Sequence, residues 1–401
     1  MAIPSLKARF KKANEKSRLI STEDPSPDFY LSTGNKLLNK IISGRYDRGW
    51  AQGRVGGLSG LSGAGKSFLI AAAIREAQKQ DYTVVVIDSE NALDFDFMTA
   101  AGVDCREENE DYIHISVSTM GAAADAISQI TEDWHKARTE KRLHEMKRLL
   151  IVCDSLDFLV TDSMMKKWED EGELGNDQGL HARKMKQLLQ TMVAEIKFLP
   201  CVAICTKQVY VDQTPNASPP VKMSEAAKFA LTQLLLLNRI MTKDEKVKGE
   251  KFVTYNGIEL RAFAWKTRGC KPFQRCEIVI PYDDGMDEYE GLLQVAVKAG
   301  IVENSGAWYS YNDTKWQGKD AWRGLDVEVK EAIFQAIVKS DIKDINIAEG
   351  EDELDVELKG KGKGKDKAKT AGDAAEAIKL RKAAKLAAEA EETEATEDAG
   401  E

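Results

Sequence analysis

Eight consecutive residues, Gly60-Leu61-Ser62-Gly63-Ala64-Gly65-Lys66-Ser67, constrain this chain more than any other stretch. Gly60 and Gly65 bracket four residues and run into Lys-Ser, which is the spelling of a phosphate loop. Glycine lets the backbone curl until successive N–H groups converge on an anion. The helix that follows aims its positive N-terminus at the same point. Lys66 has the reach for β- and γ-phosphates, and Ser67 offers a hydroxyl to Mg²⁺. A chance glycine-rich turn is the competing reading, and the flanks argue against it. The apolar-leaning segment Gly53–Ser59 leads in, and Phe68-Leu69-Ile70-Ala71-Ala72-Ala73-Ile74 leads out as a helix. The expected ligand is a nucleotide.

Two further stretches extend that reading. Thr83-Val84-Val85-Val86-Ile87 is a short β-branched run of the kind that forms a buried parallel strand, and it ends in Asp88-Ser89-Glu90. In open α/β sheets ligands bind beyond the C-terminal ends of the strands, so Glu90 is a candidate to orient and deprotonate a water. Taken alone, Asp88-Ser89-Glu90 is better explained as a surface acidic cluster. Leu149-Leu150-Ile151-Val152-Cys153-Asp154-Ser155 is a second apolar run closed by an acid. Downstream of a phosphate loop, that acid is a Mg²⁺ partner, with Ser155 assisting through a hydrogen bond.

The rest of the chain alternates in the same α/β manner. Helices are expected over Leu37–Ile42, Gly121–Ala137 and the segment after Gly179, and strands over Tyr112–Val117, Cys201–Cys205, Leu231–Leu237, Ile258–Trp265 and Glu277–Ile280. Trp168–Gly179 is polar and glycine-rich and reads as a loop, as does the proline-bearing Val209–Val221. Met241–Glu250 reads as a charged hairpin or turn. The 6 cysteines show no CxxC pair and the 4 histidines no ligand spacing, which favours buried reduced thiols over a zinc site. No apolar run approaches the length of a membrane span, and the N-terminus lacks a signal-peptide core, so a cytoplasmic location is expected. The net charge of −9 disfavours a uniformly basic nucleic-acid surface while leaving room for a local basic channel.

With these pieces in place the chain resembles the RecA-type DNA recombinases, including the UvsX-like recombinases of T-even phages. The similarity runs with gaps from about Ser32 to Val338. It includes Ser32-Thr33-Gly34, the phosphate loop, Ile87 to Asp94, Gly102-Val103-Asp104, and the strand to Asp154-Ser155. It continues through Glu171-Gly172-Glu173-Leu174-Gly175, Lys266 and Arg268, Pro272-Phe273, and Tyr289-Glu290-Gly291-Leu292-Leu293. Gly306-Ala307-Trp308-Tyr309-Ser310-Tyr311 with Gln317-Gly318-Lys319 is the most specific part. The resemblance implies an α/β fold with a RecA-like phosphate-loop ATPase core around a mostly parallel sheet. A small C-terminal α+β domain and a disordered tail would follow. The expected division is an N-terminal basic helix and linker at 1–29, the core at 30–285, the small domain at 286–345 and the tail at 346–401.

The resemblance also implies roles. ATP and Mg²⁺ would be the cofactors, with Glu90 as the catalytic glutamate and Gln208 as the amide that senses the γ-phosphate. Phe97 would stack on adenine and Asp94 would lie near its amino group. Lys266 and Arg268 would reach the γ-phosphate from a neighbouring subunit, so that hydrolysis requires a homo-oligomeric helical filament. From the residues alone, a solvated basic turn is the better reading of those two cations. The loops at Glu171–Gln178 and Val209–Ser224 would bind single- and double-stranded DNA. Gly172, Gly175, Arg183, Lys186, Lys222 and Lys228 are the candidate contacts. In the second loop this chain has Met223-Ser224-Glu225 where the relatives carry adjacent glycines. Single-strand-binding and mediator proteins are further candidate partners. A helicase or repair-accessory ATPase, and a DNA-coating protein switched by ATP, remain open alternatives.

From Gly350 onward there are 10 basic and 15 acidic side chains, so about −5 of the −9 sits in a segment unable to build a core of its own. A solvating tail is the simple expectation. An acidic end that competes with DNA for a basic groove is the functional one.

Overall fold

Short buried runs of apolar residues separated by helix-forming stretches have one stable arrangement, a parallel sheet covered on both faces. The computed structural model describes residues 27–172, 178–211, 221–222, 229–243, 255–281, 285–340 and 342. The basic N-terminal segment 1–26 and the charged stretch beyond residue 342 lie outside the described residues. The fold described here belongs to one compact unit, Met1–Tyr210 with Lys222–Glu349.

Six strands lie parallel: β1 (Val55–Gly60), β2 (Thr83–Asp88), β3 (Tyr112–Ser116), β4 (Leu149–Asp154), β5 (Cys201–Gln208) and β6 (Gln233–Lys243). Two more, β7 (Tyr255–Thr267) and β8 (Arg275–Pro281), extend the β6 side antiparallel, giving the order β8-β7-β6-β1-β5-β4-β2-β3. Side chains alternate faces along a strand. Val84, Val86, Leu150, Val152, Val202 and Ile204 therefore enter one hydrophobic cluster. Val85, Ile87, Leu149, Ile151, Cys153, Cys201, Ala203 and Cys205 enter a second, on the opposite face. Helices α1 (Lys36–Ser43) and α2 (Lys66–Gln78), and the short α3 (Phe95–Ala100), cover the first face. The long helices α4 (Met120–Thr139) and α6 (Gln178–Ile196) cover the other. The cysteines are all free thiols, four of them buried.

Helix α5 (Asp162–Glu171) departs from the expected loop, because Trp168–Glu171 are helical. Its ends explain it. Thr161 caps the start by accepting the Met164 amide, Gly172 closes the end at φ 70°, and Lys167 pairs with Glu171 at 3.6 Å. None of its residues is buried, and its acidic C-terminal half read as loop. The second departure is β6, which continues to Lys243 through the Met241–Lys243 stretch expected as a turn. Its long antiparallel pairing with β7 supplies the partners that local composition did not announce.

Beyond β8 the chain forms α7 (Leu292–Lys298), the antiparallel ribbon β9 (Glu303–Ser305), β10 (Trp308–Tyr311) and β11 (Thr314–Gln317), and helix α8 (Val327–Lys339). Tyr309 stacks on Trp316 with centroids 5.9 Å apart, over a core shared with Trp322, Ile333 and Ile337. Asn35 ties α1 to this part. Its side-chain oxygen caps α1 by accepting the Leu37 and Leu38 amides, while its nitrogen donates to the carbonyls of Asp287 and Glu290.

Gln233 opens β6 with a buried polar side chain. Its oxygen accepts the Ala51 amide at 3.0 Å, and its nitrogen donates to Ile42 and Gly49 carbonyls at 3.1 and 2.9 Å. Truncating it strands three buried backbone groups. Gln233→Ala is expected to lower the unfolding free energy by about 2–4 kcal/mol, read as a drop in urea midpoint at constant slope. A change below about 0.5 kcal/mol would show that water replaces all three bonds.

Candidate functional site

The parallel register brings four strand ends to one edge of the sheet. Gly60 of β1 pairs with Gln208 of β5, and Asp88 of β2 with Asp154 of β4. The phosphate loop leaves β1 there, turning through positive φ at Gly63 (69°) and Gly65 (85°) before α2 begins at Lys66. A cleft of about 360 Å³ opens over the loop. Ser62, Gly63, Gly65, Lys66, Ser67, Glu90, Phe97, Asp154 and Gln208 all line it. Gly60 and Ala64 are buried beneath it and the Leu61 side chain points to solvent.

Each polar group is held by its neighbours. Lys66 folds back to donate to the Gly60 and Leu61 carbonyls, both at 3.1 Å. Burial lowers its pKa, against the pull of Asp154, Glu90 and Asp157. Asp154 is almost fully buried and accepts the Thr206 hydroxyl. Burial pushes its carboxyl up to about 6, and the charges of Glu90 and Asp88 add to the shift while Thr206 and Lys66 oppose it. Ser155 donates its hydroxyl to Glu90 Oε1 at 2.5 Å. Phe97 meets Phe68 edge to face at 5.2 Å on the cleft wall.

Asp88 is the hub of the loop that carries Glu90. Its carboxylate accepts the amides of Glu90, Asn91 and Leu93 at 3.0, 2.7 and 3.3 Å, and contacts His114 Nε2 at 3.2 Å. Burial alone would push its carboxyl up. The hydrogen bonds from His114 and from the Leu93 and Asn91 amides outweigh that and hold it below the ordinary 3.8.

Other candidates fall elsewhere. Asp94 caps α3 by accepting the Asp96 and Phe97 amides, and it is not among the residues lining the cleft. Lys266 and Arg268 lie at the far end of β7, outside the lining, with Lys266 Nζ donating to the Phe229 carbonyl at 3.4 Å. Burial, then the charge of Arg268, lower the Lys266 pKa. Gly172 closes α5, and Arg183 and Lys186 are exposed on α6. Lys222 ends the two-residue strand Val221–Lys222. Gly175 and Lys228 lie outside the described residues.

Phe68, Ala92, Arg239 and Ile258 line the cleft without having been expected there, and the last two come from distant strands. Arg239, on β6, lays its guanidinium against Gly63, where an added Cβ would come within 2.8 Å of it. Ile258, on β7, faces the loop from beside it. The signal for both is the length of β6. A strand carried past Leu237 brings Arg239, paired with Leu260, alongside the phosphate loop.

A glycine-rich loop between a parallel strand and a helix, with carboxylates at neighbouring strand ends, defines a phosphate-loop α/β protein. Residues 291–336 match the family model of the RecA C-terminal domain. Protein RecA of Bordetella petrii is 30% identical over 279 residues, 68% of this chain and 70% of that protein. Protein RecA of Clostridioides difficile is 30% identical, over 68% of this chain and 72% of its own length. The chain belongs to the RecA family of recombinases. Among the described residues no helix is long and apolar enough to cross a membrane.

Asp88 gives the pH test of this wiring. Because its native pKa is depressed, its stabilisation is present above 3.8 and is lost as pH falls through the lower native value. Asp88→Asn is expected to cost about 2 kcal/mol at neutral pH, with the gap to wild type narrowing as pH falls below 3.8. Urea unfolding across that range checks it, and a gap that does not change with pH would remove the charge from the account.

Proposed function

We propose that this chain is an ATP-dependent homologous recombinase. It assembles as a helical filament on single-stranded DNA and pairs that strand with a homologous duplex. The observation that carries the reading is the convergence of Lys66, Glu90, Asp154 and Gln208 on one cleft in a chain of this family.

The phosphate loop, from Gly60 to Ser67, would wrap the triphosphate with backbone amides. Lys66 would exchange its two carbonyl bonds for phosphate oxygens. Among the described residues no group of three or more His, Cys, Asp or Glu is placed to hold a metal ion. Mg²⁺ keeps waters and shares its site with phosphate. The Ser67 hydroxyl and the Asp154 carboxylate are the two hard oxygens for it, and a buried carboxylate that ionises reluctantly gains from a cation beside it. When bound, the ion supplies charge neutralisation between the phosphates.

Glu90 would take the proton of the attacking water, held at its working angle by the Ser155 hydroxyl. Phe97, stiffened by Phe68, suits the face of adenine, with Asp94 three residues before it near the amino group. Gln208 reads the terminal phosphate and relays it toward the second DNA loop. Lys266 and Arg268, off the cleft of their own subunit, would complete the cleft of a neighbour. Gly172, Gly175, Arg183, Lys186, Lys222 and Lys228 are the DNA contacts, chiefly to phosphates. We read the core as 30–285 and the small C-terminal domain as 286–345, preceded by 1–29 and followed by the charged segment 346–401.

Glu90→Gln tests the assignment. ATP turnover is expected to fall by about 10²–10⁴-fold while ATP-dependent filaments on single-stranded DNA persist. Joint-molecule formation between a single strand and a homologous duplex is the decisive assay on the wild-type chain. Rings that unwind DNA without forming joint molecules would overturn the proposal in favour of a helicase.

A further inference from the structure

A buried ion pair sits beside the cleft without entering it. Asp157 lies in the turn after β4, and one of its carboxylate oxygens takes the ammonium of Lys207 on β5. Its other oxygen accepts the backbone N–H of Gln208 at 2.5 Å. The two side chains are only 9% and 10% exposed, and neither lines the cleft. Burying such a pair costs desolvation that mutual attraction offsets poorly, so stability alone is a weak reason for it.

Its neighbours point to another reason. The Leu156 amide donates to the Thr206 carbonyl at 3.1 Å, which ties the same turn to β5 a second time. On the other side, Ser155 donates to Glu90, its amide donates to the Ser89 hydroxyl at 3.0 Å, and that hydroxyl donates to the Ser155 carbonyl at 2.6 Å. Three residues, Ser155 to Asp157, are thus bonded at one end to the Glu90 loop and at the other to the strand end that carries Gln208. A shift of the Gln208 backbone pulls on Asp157, and the turn passes it to the hydroxyl that orients Glu90. Lys207 neutralises the buried Asp157 carboxylate, whose second oxygen accepts the Gln208 amide.

We propose that Asp157, held by Lys207, is a positioning residue that couples the strand end bearing Gln208 to Glu90. DNA engagement at one end thereby sets the geometry of hydrolysis at the other. The proposal rests on the recombinase reading given above, which supplies the roles of Gln208 and Glu90.

Two double variants of the full chain separate coupling from mere support. Asp157→Asn with Lys207→Met removes both buried charges and keeps an oxygen facing the Gln208 amide. Asp157→Ala with Lys207→Met removes the charges and the oxygen together. The readouts are affinity for a non-hydrolysable ATP analogue without DNA, thermal midpoint, and the fold stimulation of ATP turnover by single-stranded DNA. Both variants are expected to keep analogue affinity within about twofold of wild type. The Ala/Met variant should lose about tenfold of the DNA stimulation, the worth of one well-placed hydrogen bond, while the Asn/Met variant retains most of it. Equal stimulation in the two overturns the proposal, as does a loss in the Ala/Met variant that only tracks its midpoint and analogue affinity. Hydrogen exchange at the Gln208 amide of the wild-type chain reads the same bond without substitution. Protection is expected there, and free exchange would also overturn the coupling. A wild-type chain whose turnover ignores DNA defeats the recombinase reading itself, a result distinct from a coupled wild type with two indistinguishable variants.

Discussion

The parallel register of β1, β5, β4 and β2 is the constraint on which everything at the cleft depends. Odd and even residues of these strands feed two separate cores, so each strand is pinned from both faces. A slip of one residue would turn every buried side chain to the wrong face. It would also drop Cys153 where Asp154 stands and lift the carboxylate away from Ser67. Packing far from the cleft thus sets positions within it, and apolar alternation becomes a means of aiming polar groups.

On that frame lies a second layer of order made of short polar links. Asp88 gathers three amides of the Glu90 loop, and Ser155 reaches back to Glu90 itself. Lys66 is latched onto the loop it belongs to. These groups are nearly all satisfied locally, which lets them hold position in a low-dielectric cleft without wandering among partners. Rigid strands place the backbone, and hydrogen bonds of this kind trim the side chains.

Much of this was legible in the residues. The phosphate loop, the strand ends at Asp88 and Asp154, and the burial of the run to Cys205 followed from local pattern, since each is encoded within a few residues. What sequence did not disclose is pairing between distant segments. Arg239 enters the cleft only because β6 runs alongside β7 to Lys243, and Asp157 matters only because Lys207 lies across from it. The bonds that make Asp88 a hub also reach beyond local pattern, since one of them comes from His114 on a neighbouring strand. Helix α5 was missed on different grounds, having caps and an ion pair but no apolar face set into a core.

That helix has a thermodynamic character of its own. Because no residue of α5 is fully buried, its melting exposes less apolar surface than the melting of α4 or α6. Its capping bonds and its Lys167–Glu171 pair carry a larger share of its order than they do in those helices. Between its caps, the segment from Asp162 to Gly172 is a helix specified by its ends more than by its middle.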